Sequence, residues 1–338
     1  MAQEPLRVEE VGGKPPADIE FGSRRPLVRL HVPSAPHRSG DEPCFSGFSE
    51  QPEDLDRPHP LADYQQLRPH AHGLVRVLND RGEARGVWNP ELSPEVLVRG
   101  LEWMARVRAF DTRLMTMQRQ GRLSFYLSCL GEEAVAVAAT MALEKDDLLF
   151  PSYRQPGLFL ARGMTPVQMM CQCIGNQRDS CRGRQMPIHY SWRKGRVVSI
   201  SSPVGTQFPQ AVGAAMAMAI RGESDVAAAW MGEGTTAQGD FHYALNFASV
   251  YEPPVVLNVV NNQWAISTPS NIASGGKSFA ARADPFALPG LRVDGNDFLA
   301  VYAATAWAAQ RARAGGGSTL IELVTYRAAA HSSSDDPS

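Results

Sequence analysis

A carboxylate and two neighbouring amides are the residues of this sequence whose types and spacing best suggest chemistry. Glu233 stands between Gly232 and Gly234 after one apolar run, and Asn261-Asn262 follows a second apolar run. The segment between the two runs has the composition of a helix, so the pattern predicts a strand-helix-strand unit with both polar loops at one edge of a sheet. Carboxylate and amide oxygens suit Mg²⁺ or Ca²⁺ and not a soft metal. The sequence therefore predicts a divalent-cation site that could hold a diphosphate.

The flanking glycines strengthen this interpretation. Gly232 and Gly234 would let the backbone approach a diphosphate, and the helix that follows would offer N–H donors at its N-terminus. Alone, a Gly-x-Gly turn or an Asn-Asn turn is ordinary in α/β proteins. Their combination in a strand-helix-strand context favours the metal-diphosphate interpretation.

The elements that must position these residues alternate along the chain. Apolar runs predict strands at residues 197–200, 226–230, 255–260, 291–293 and 320–324. Helical patterns lie between them, at residues 209–220, 240–251 and 298–313. This alternation predicts an α/β fold with a parallel sheet and helices on both faces, whose ligands lie beyond the carboxyl ends of the strands.

The N-terminal part of the chain has a different character. The first sixty or so residues are rich in Pro, Gly, Arg and Asp and predict a partly irregular arm over residues 1–73, followed by an α/β domain over residues 74–338. A long helix is expected after Ser93-Pro94, and a second helix near Gly131. The long helix should bury one stripe of apolar residues: Leu97, Leu101, Met104, Val107, Phe110, Leu114 and Met117.

Composition narrows the class of protein. The chain has 338 residues, 43% of them hydrophobic, and a net charge of -2, which gives no electrostatic reason to expect nucleic acid or a membrane surface as partner. No apolar run of membrane-spanning length occurs. Five cysteines form an odd set in a chain that needs no disulfides, which predicts reduced thiols in a cytoplasmic protein. Cys171, Cys173 and Cys181 lack the spacing of a zinc site and are interpreted as packing residues.

The motif of Gly232-Glu233-Gly234 and Asn261-Asn262 resembles the thiamine-diphosphate motif, and the wider sequence resembles the alpha subunits of branched-chain 2-oxo acid dehydrogenases. The matching segments include SFYLSCLGEEA at Ser124, PSYRQPG at Pro151, SSPVGTQFPQAVGAA at Ser201, NNQWAIST at Asn261 and LVTYRAAAHSSSDDPS at Leu323. The resemblance covers nearly everything after about Leu74. It implies a thiamine-diphosphate-binding α/β fold, preceded by the arm and helices, and oxidative decarboxylation of 2-oxoisovalerate and related acids.

The resemblance also implies roles for individual residues. Mg²⁺ would be bound by the side chains of Glu233 and Asn262 and by the main-chain oxygen of Trp264. Val204 would help to bend the cofactor, and His331 would assist proton movement. His331, Ser202 and Tyr153 are the expected catalytic residues. The expected cofactor-binding residues are Tyr153, Arg154, Ser202, Val204, Gly232, Glu233, Gly234, Thr235, Asn262, Trp264, Ala265, Ile266 and His331.

Partners and a second cation follow from the same resemblance. It implies a beta subunit in an alpha2beta2 heterotetramer, a lipoyl-bearing acyltransferase that receives the acyl group, and a small 2-oxo acid substrate. Ser201, Pro203, Thr206 and Gln207 match a potassium site of mammalian relatives, although a hydroxyl-rich turn is the simpler interpretation of these residues.

Departures from the family pattern keep two alternatives open. Val260 stands where mammalian relatives have an arginine, and the sequence ends at Ser338 inside the last active-site loop, so the domain is expected to be truncated at its C-terminus. One alternative is the alpha subunit of a pyruvate or other 2-oxo acid dehydrogenase. The other is a catalytically silent scaffold.

Overall fold

A parallel sheet forms the centre of the computed structural model, in which residues 54–335 are described. The strands are β1 (Leu148–Phe150), β2 (Ala227–Gly232), β3 (Val255–Asn261), β4 (Trp264–Ala265), β5 (Thr268–Pro269), β6 (Gly290–Asp294) and β7 (Thr319–Val324). Five of them form the main sheet in the order β1-β2-β3-β7-β6, all parallel, while β4 and β5 form a short antiparallel ribbon.

Helices cover both faces of this sheet. The α-helices among residues 54–335 are α1 (Tyr64–Leu67), α2 (Pro94–Arg119), α3 (Glu133–Ala142), α4 (Pro156–Ala161), α5 (Pro166–Ile174), α6 (Gln207–Arg221), α7 (Gly239–Tyr251), α8 (Ser270–Ala273) and α9 (Phe298–Arg313). Because side chains alternate along a strand, Ala228 and Trp230 of β2 pack with α2, α3, α4 and α9. Ala227, Ala229 and Met231 pack on the other face with α6 and α7. The result is a three-layer α/β/α arrangement, as the sequence predicts.

The described part of the predicted arm packs on this domain. Trp307 of α9 donates a hydrogen bond from Nε1 to the carbonyl of Pro58 at 2.8 Å. Val75 extends the sheet beyond β6 through a parallel bridge to Val293. Residues 1–53 of the arm lie outside the described residues. The domain boundary between residues 73 and 74 stays a prediction.

The central elements agree with the sequence patterns. The strand-helix-strand unit of β2, α7 and β3 is present, with β2 and β3 adjacent and parallel. The helix predicted over residues 298–313 is α9, and the helix predicted after Ser93-Pro94 is α2, with Ser93 at its N-cap. The metal-diphosphate motif therefore lies at the edge of the sheet where it was expected.

Other predicted features were wrong. Residues 197–200 form no strand, and only Val197 among them makes isolated bridges, because the neighbouring edge strand β1 is only three residues long and offers few backbone partners. Leu97 and Leu101 are 39% and 64% exposed. The first turns of α2 instead approach Phe298 through Gly100, where an added Cβ would lie 2.4 Å from the ring. By contrast, the helix predicted over residues 240–251 is confirmed as α7, and a 3-10 turn, Glu233–Ala237, connects β2 to it.

The cysteines and the helices can be compared with what composition predicts. Cys129, Cys171, Cys173 and Cys181 are free thiols, and Cys44 lies outside the described residues. Cys171 and Cys173 are buried in α5, whereas Cys181 lies in the loop beyond it. No helix within residues 54–335 is long and apolar enough to cross a membrane.

Candidate functional site

A cavity of about 910 Å³, open to solvent, lies beyond the carboxyl ends of β1, β2, β3 and β7. Twelve of the thirteen residues expected to bind cofactor line it. They are Tyr153, Arg154, Val204, Gly232, Glu233, Gly234, Thr235, Asn262, Trp264, Ala265, Ile266 and His331. The exception is Ser202, which is exposed beside the cavity. Loops that follow four parallel strands thus bring together distant parts of the chain, and Tyr153 and His331 are 178 positions apart.

Glu233 lies at the end of β2, where the register pairs Gly232 with Val260 of β3. The side chain is buried, and its Oε1 has no hydrogen-bond partner among residues 54–335. Burial raises the pKa of Glu233 to about 7, and the nearby Glu132 carboxylate adds to the rise. Burying a carboxylate oxygen without a hydrogen-bond partner is costly, and such an oxygen suits the binding of a cation.

The two asparagines at the end of β3 have different surroundings. Asn261 belongs to the sheet, since its Nδ2 donates to Glu322 at 2.8 Å and its carbonyl accepts from Thr325 N at 2.8 Å. Asn262 lines the cavity, and its Nδ2 donates to Glu132 Oε1 at 2.7 Å. Its Oδ1 accepts from Trp264 N at 3.2 Å. Only the second amide is therefore placed to meet a ligand.

The ribbon of β4 and β5 supplies the backbone on the next side of the cavity. Arg327 donates from Nη1 to the carbonyl of Trp264 at 3.3 Å and from Nη2 to the carbonyl of Ile266 at 2.7 Å. Ile266 has φ of 57°, which turns this part of the chain tightly. The Trp264 carbonyl oxygen accepts one hydrogen bond from Arg327 and keeps a second lone pair. A cation bound there would therefore share this oxygen with the Arg327 guanidinium.

Arg154 and His331 form a connected pair near Glu132, whose Oε1 lies 3.8 Å from Arg154 Nε. Arg154 is buried and donates to the carbonyl of Ser128, to His331 Nδ1 at 3.0 Å and to the His331 carbonyl at 3.0 Å. Since a guanidinium only donates, His331 Nδ1 is the acceptor and the proton of the neutral ring lies on Nε2. Burial lowers the pKa of His331 to about 4, with Arg154 and Arg327 adding to the effect. His331 is thus a neutral imidazole at the cavity.

The remaining predicted catalytic residues lie around this pair. The Tyr153 ring lies between His331 and His189, with ring centroids 6.2 Å from each. Ser202 Oγ is 2.9 Å from His189 Nε2, and His189 Nδ1 is 3.0 Å from the carbonyl of Pro187. Because that carbonyl only accepts, Nδ1 carries the proton and Ser202 donates to Nε2. Val204, 44% exposed, borders the cavity next to this turn.

The four residues expected to bind potassium form one turn. The hydroxyls of Ser201 and Thr206 both donate to the carbonyl of Pro203, at 3.2 and 3.3 Å. Gln207 Nε2 lies 3.5 Å from the carbonyl of Ser201. These contacts agree with the simpler interpretation, a turn closed by its own hydroxyls.

The donor set near Glu233 fits a hard divalent cation. Glu233 offers an unpaired carboxylate oxygen, Asn262 an amide oxygen and Trp264 a carbonyl. A Cβ added to Gly232 would meet nothing within 4 Å, so the backbone leaves space on the cavity side. Within residues 54–335 no cluster of three or more His, Cys, Asp or Glu side chains is placed to hold a metal.

Sequence reasoning missed several residues of the site. Glu132 lines the cavity, Arg327 holds the β4–β5 ribbon, and His189 orients Ser202. Asp111 of α2 is buried and accepts from Tyr126 Oη, Ser128 Oγ and Cys129 N, so it fixes the loop that receives Arg154. The available signal was a polar residue inside an apolar stripe, as Asp111 is in α2.

Comparison with known proteins gives a consistent result. Residues 102–338 match the family model described as "Dehydrogenase E1 component". A protein of Pseudomonas aeruginosa named 2-oxoisovalerate dehydrogenase subunit alpha is 52% identical over 313 residues, which cover 92% of this chain and 76% of that protein. The mitochondrial subunit alpha of Bos taurus is 38% identical over 319 residues, covering 93% and 69%. Subunit alpha 1 of Arabidopsis thaliana is 42% identical over 245 residues, covering 72% of this chain and 52% of that protein.

The match includes the loops after β2, β3 and β7, because the family model begins within α2 and continues past all three. The chain spans about three quarters of the Pseudomonas relative and about half of the Arabidopsis relative. The resemblance seen in the sequence is confirmed at the level of the family. The chain belongs to the dehydrogenase E1 component family.

Proposed function

We propose that this chain is the alpha subunit of a thiamine-diphosphate-dependent 2-oxo acid dehydrogenase that acts on 2-oxoisovalerate and related branched-chain acids. The observation that carries the proposal is the unpaired Glu233 oxygen beside Asn262 in a cavity at the carboxyl edge of the sheet. The 52% identity to a protein named 2-oxoisovalerate dehydrogenase subunit alpha supports the substrate class.

The chain's own residues would hold the cofactor in two places. Mg²⁺ would be bound by Glu233, Asn262 and the Trp264 carbonyl, where the structure leaves hard oxygen donors. The diphosphate would lie against backbone near this cation, and the rings near Val204 and Ser202. Thiamine diphosphate, when bound, supplies a carbon nucleophile and an electron sink for decarboxylation. The backbone residues proposed for this contact are Gly232, Gly234, Thr235, Ala265 and Ile266.

His331 and Arg154 would handle protons and charge in the same cavity. Arg154 fixes the imidazole through Nδ1, so His331 presents an Nε2 proton as a hydrogen-bond donor at neutral pH. Tyr153 packs edge-on against that ring and limits its movement. We propose that His331 donates to anionic oxygens in the cavity, and that the Arg154 charge adds to their binding.

The partners and the location are part of the same proposal. A beta subunit in an alpha2beta2 heterotetramer would complete the site, and a lipoyl-bearing acyltransferase would receive the acyl group. The names of the relatives, which designate them as subunits alpha, support a partner chain. The free thiols support a cytoplasmic location. We also propose a potassium ion at the Ser201–Gln207 turn, and its support is the match of these residues to the sequence of a known potassium site.

The test is a decarboxylation assay of the chain assembled with the beta subunit from the same organism. Carbon dioxide release from 2-oxoisovalerate should require thiamine diphosphate, Mg²⁺ and both subunits, and kcat/KM should be higher for 2-oxoisovalerate than for pyruvate. A preference for pyruvate would favour the other substrate class. A stable complex that binds the cofactor without turnover would favour a silent scaffold.

A further inference from the structure

Glu132 is a buried carboxylate at the proposed cation site that the functional proposal leaves without a role. It precedes α3, is 2% exposed and lines the cavity. Its Oε1 accepts from Asn262 Nδ2 at 2.7 Å, and Arg154 Nε lies 3.8 Å from the same oxygen. Its Oε2 has no hydrogen-bond partner among the described residues.

The contacts of Asn262 decide which way its amide is turned. The Trp264 N–H only donates, so Asn262 Oδ1 must face Trp264. The Asn262 NH2 group then faces Glu132 Oε1, which accepts its hydrogen bond. A carbonyl oxygen accepts at two lone pairs, so Oδ1 keeps one for a cation.

We propose that Glu132 is a positioning residue for the divalent cation. It holds the Asn262 amide with its oxygen available to the metal, and its negative charge lies beside the ligands that receive the cation. This inference rests on the proposed function, because it concerns the same cation site. In other metal sites, groups that orient the ligands typically change metal affinity by about 10- to 100-fold when they are removed.

Glu133, the next residue, provides a matched control. It is also buried, but its Oε1 accepts from Arg108 at 2.8 Å and its Oε2 from Gly131 N at 3.2 Å. It does not line the cavity. Loss of its charge therefore changes the same loop without touching Asn262.

The experiment measures Mn²⁺ binding to the assembled alpha–beta complex with thiamine diphosphate, by electron paramagnetic resonance, and the dependence of turnover on Mn²⁺. In Glu132→Gln the new amide can face Asn262 in either orientation and the charge is lost. We expect Mn²⁺ to bind at least about tenfold more weakly, and we expect a higher Mn²⁺ concentration to restore turnover in proportion to the metal bound. Glu133→Gln should bind Mn²⁺ like the wild type.

Equal Mn²⁺ affinity in Glu132→Gln and wild type would overturn the inference, as would a large loss of kcat without a change in affinity. If Glu132→Gln does not assemble, Glu132→Asp tests the same claim, because it keeps the charge but moves the carboxylate away from Asn262. Glu132→Asp should also weaken Mn²⁺ binding, and unchanged affinity would overturn the inference. Wild-type complex that binds no Mn²⁺ with the cofactor would instead contradict the proposed function itself.

Discussion

Two sets of residues around the cavity differ in how their polar groups are satisfied. In the satisfied set, Arg154 donates to the Ser128 carbonyl and to Nδ1 and the carbonyl of His331. In the unsatisfied set, Glu233 Oε1 and Glu132 Oε2 are buried without hydrogen-bond partners among residues 54–335. Buried polar atoms are normally paired, so the chain alone holds the first set, whereas the second set fits an added cation.

This comparison separates residues that stabilise the fold from residues whose unpaired oxygens suit ligand binding. Removing a group from the satisfied set leaves its partners unpaired and should destabilise the metal-free chain. Removing a carboxylate from the unsatisfied set removes the cost of burying an unpaired charge and should affect ligand binding instead. The following changes test that distinction.

The largest expected effect on stability is that of Arg154→Met. The substitution leaves the Ser128 carbonyl, His331 and the Glu132 charge without their buried cation, which should lower the free energy of unfolding by about 4 kcal/mol. Urea denaturation of the metal-free chain measures this. Arg221→Met, which removes an exposed arginine paired with Glu223, is the control and should leave the midpoint unchanged. If the Arg154→Met chain were as stable as the wild type, the claim that the hydrogen bonds of Arg154 stabilise the metal-free chain would be refuted.

Glu233→Gln should have the next largest effect, and it depends on pH. The pKa of Glu233 is raised from 4.5 to about 7, so the folded chain favours the neutral acid. Its contribution is present at low pH and is lost as the pH rises from 4.5 through 7. Between pH 5 and 8 the metal-free wild type should lose about 2 to 3 kcal/mol relative to Glu233→Gln. Denaturation in the presence of a chelator at both pH values gives the difference, and parallel behaviour of the two proteins would contradict it.

The two glycines of the motif sharpen the comparison further. In Gly234→Ala the new Cβ would lie 2.4 Å from the Ala265 Cβ, so overpacking should cost about 2 kcal/mol. In Gly232→Ala the Cβ meets nothing within 4 Å and φ is -74°, so stability should be retained. Gly232→Ala should instead weaken cofactor binding, because the methyl group enters the cavity. Thermal denaturation and cofactor titration of both variants measure these effects. A greater loss of stability in Gly232→Ala than in Gly234→Ala would contradict the prediction.

His331→Asn should give the smallest effect. The pKa of His331 is lowered from 6.5 to about 4, so the unfolded chain takes up a proton first as the pH falls. The contribution is complete above pH 6.5 and is lost as the pH falls towards 4. From pH 7 to 5.5 the wild type should lose about 0.5 kcal/mol more than His331→Asn, after allowance for solvent screening. A steeper loss in the variant than in the wild type would contradict the lowered pKa.

The parallel sheet and its main site loops could be predicted from the sequence because local patterns specify them. Apolar runs ending in Gly232 and Asn261 indicate strand ends, and the connection rule places both at one edge. The resemblance then supplied the residues of the more distant loops, such as Arg154 and His331, which line the same cavity. Their roles remain proposals.

Other features depend on tertiary contacts that no local pattern reveals. Leu97 fits the helical stripe but is exposed, because Gly100 is the residue that approaches Phe298. Glu132 lies 130 positions from Asn262, and nothing in either segment indicates their hydrogen bond. The strand β1 was missed because three residues are too few to show a period.

The most direct test of the claim that the unsatisfied set binds a cation is a calorimetric titration. Thiamine diphosphate is titrated into the chain assembled with its beta subunit, with Mg²⁺ or with a chelator. Wild type should bind only with Mg²⁺, and binding should vanish in Glu233→Ala and in Asn262→Ala, while both variants still assemble. Wild-type binding without a divalent cation, or unchanged affinity in Glu233→Ala, would show that the unpaired carboxylate is not the cation site.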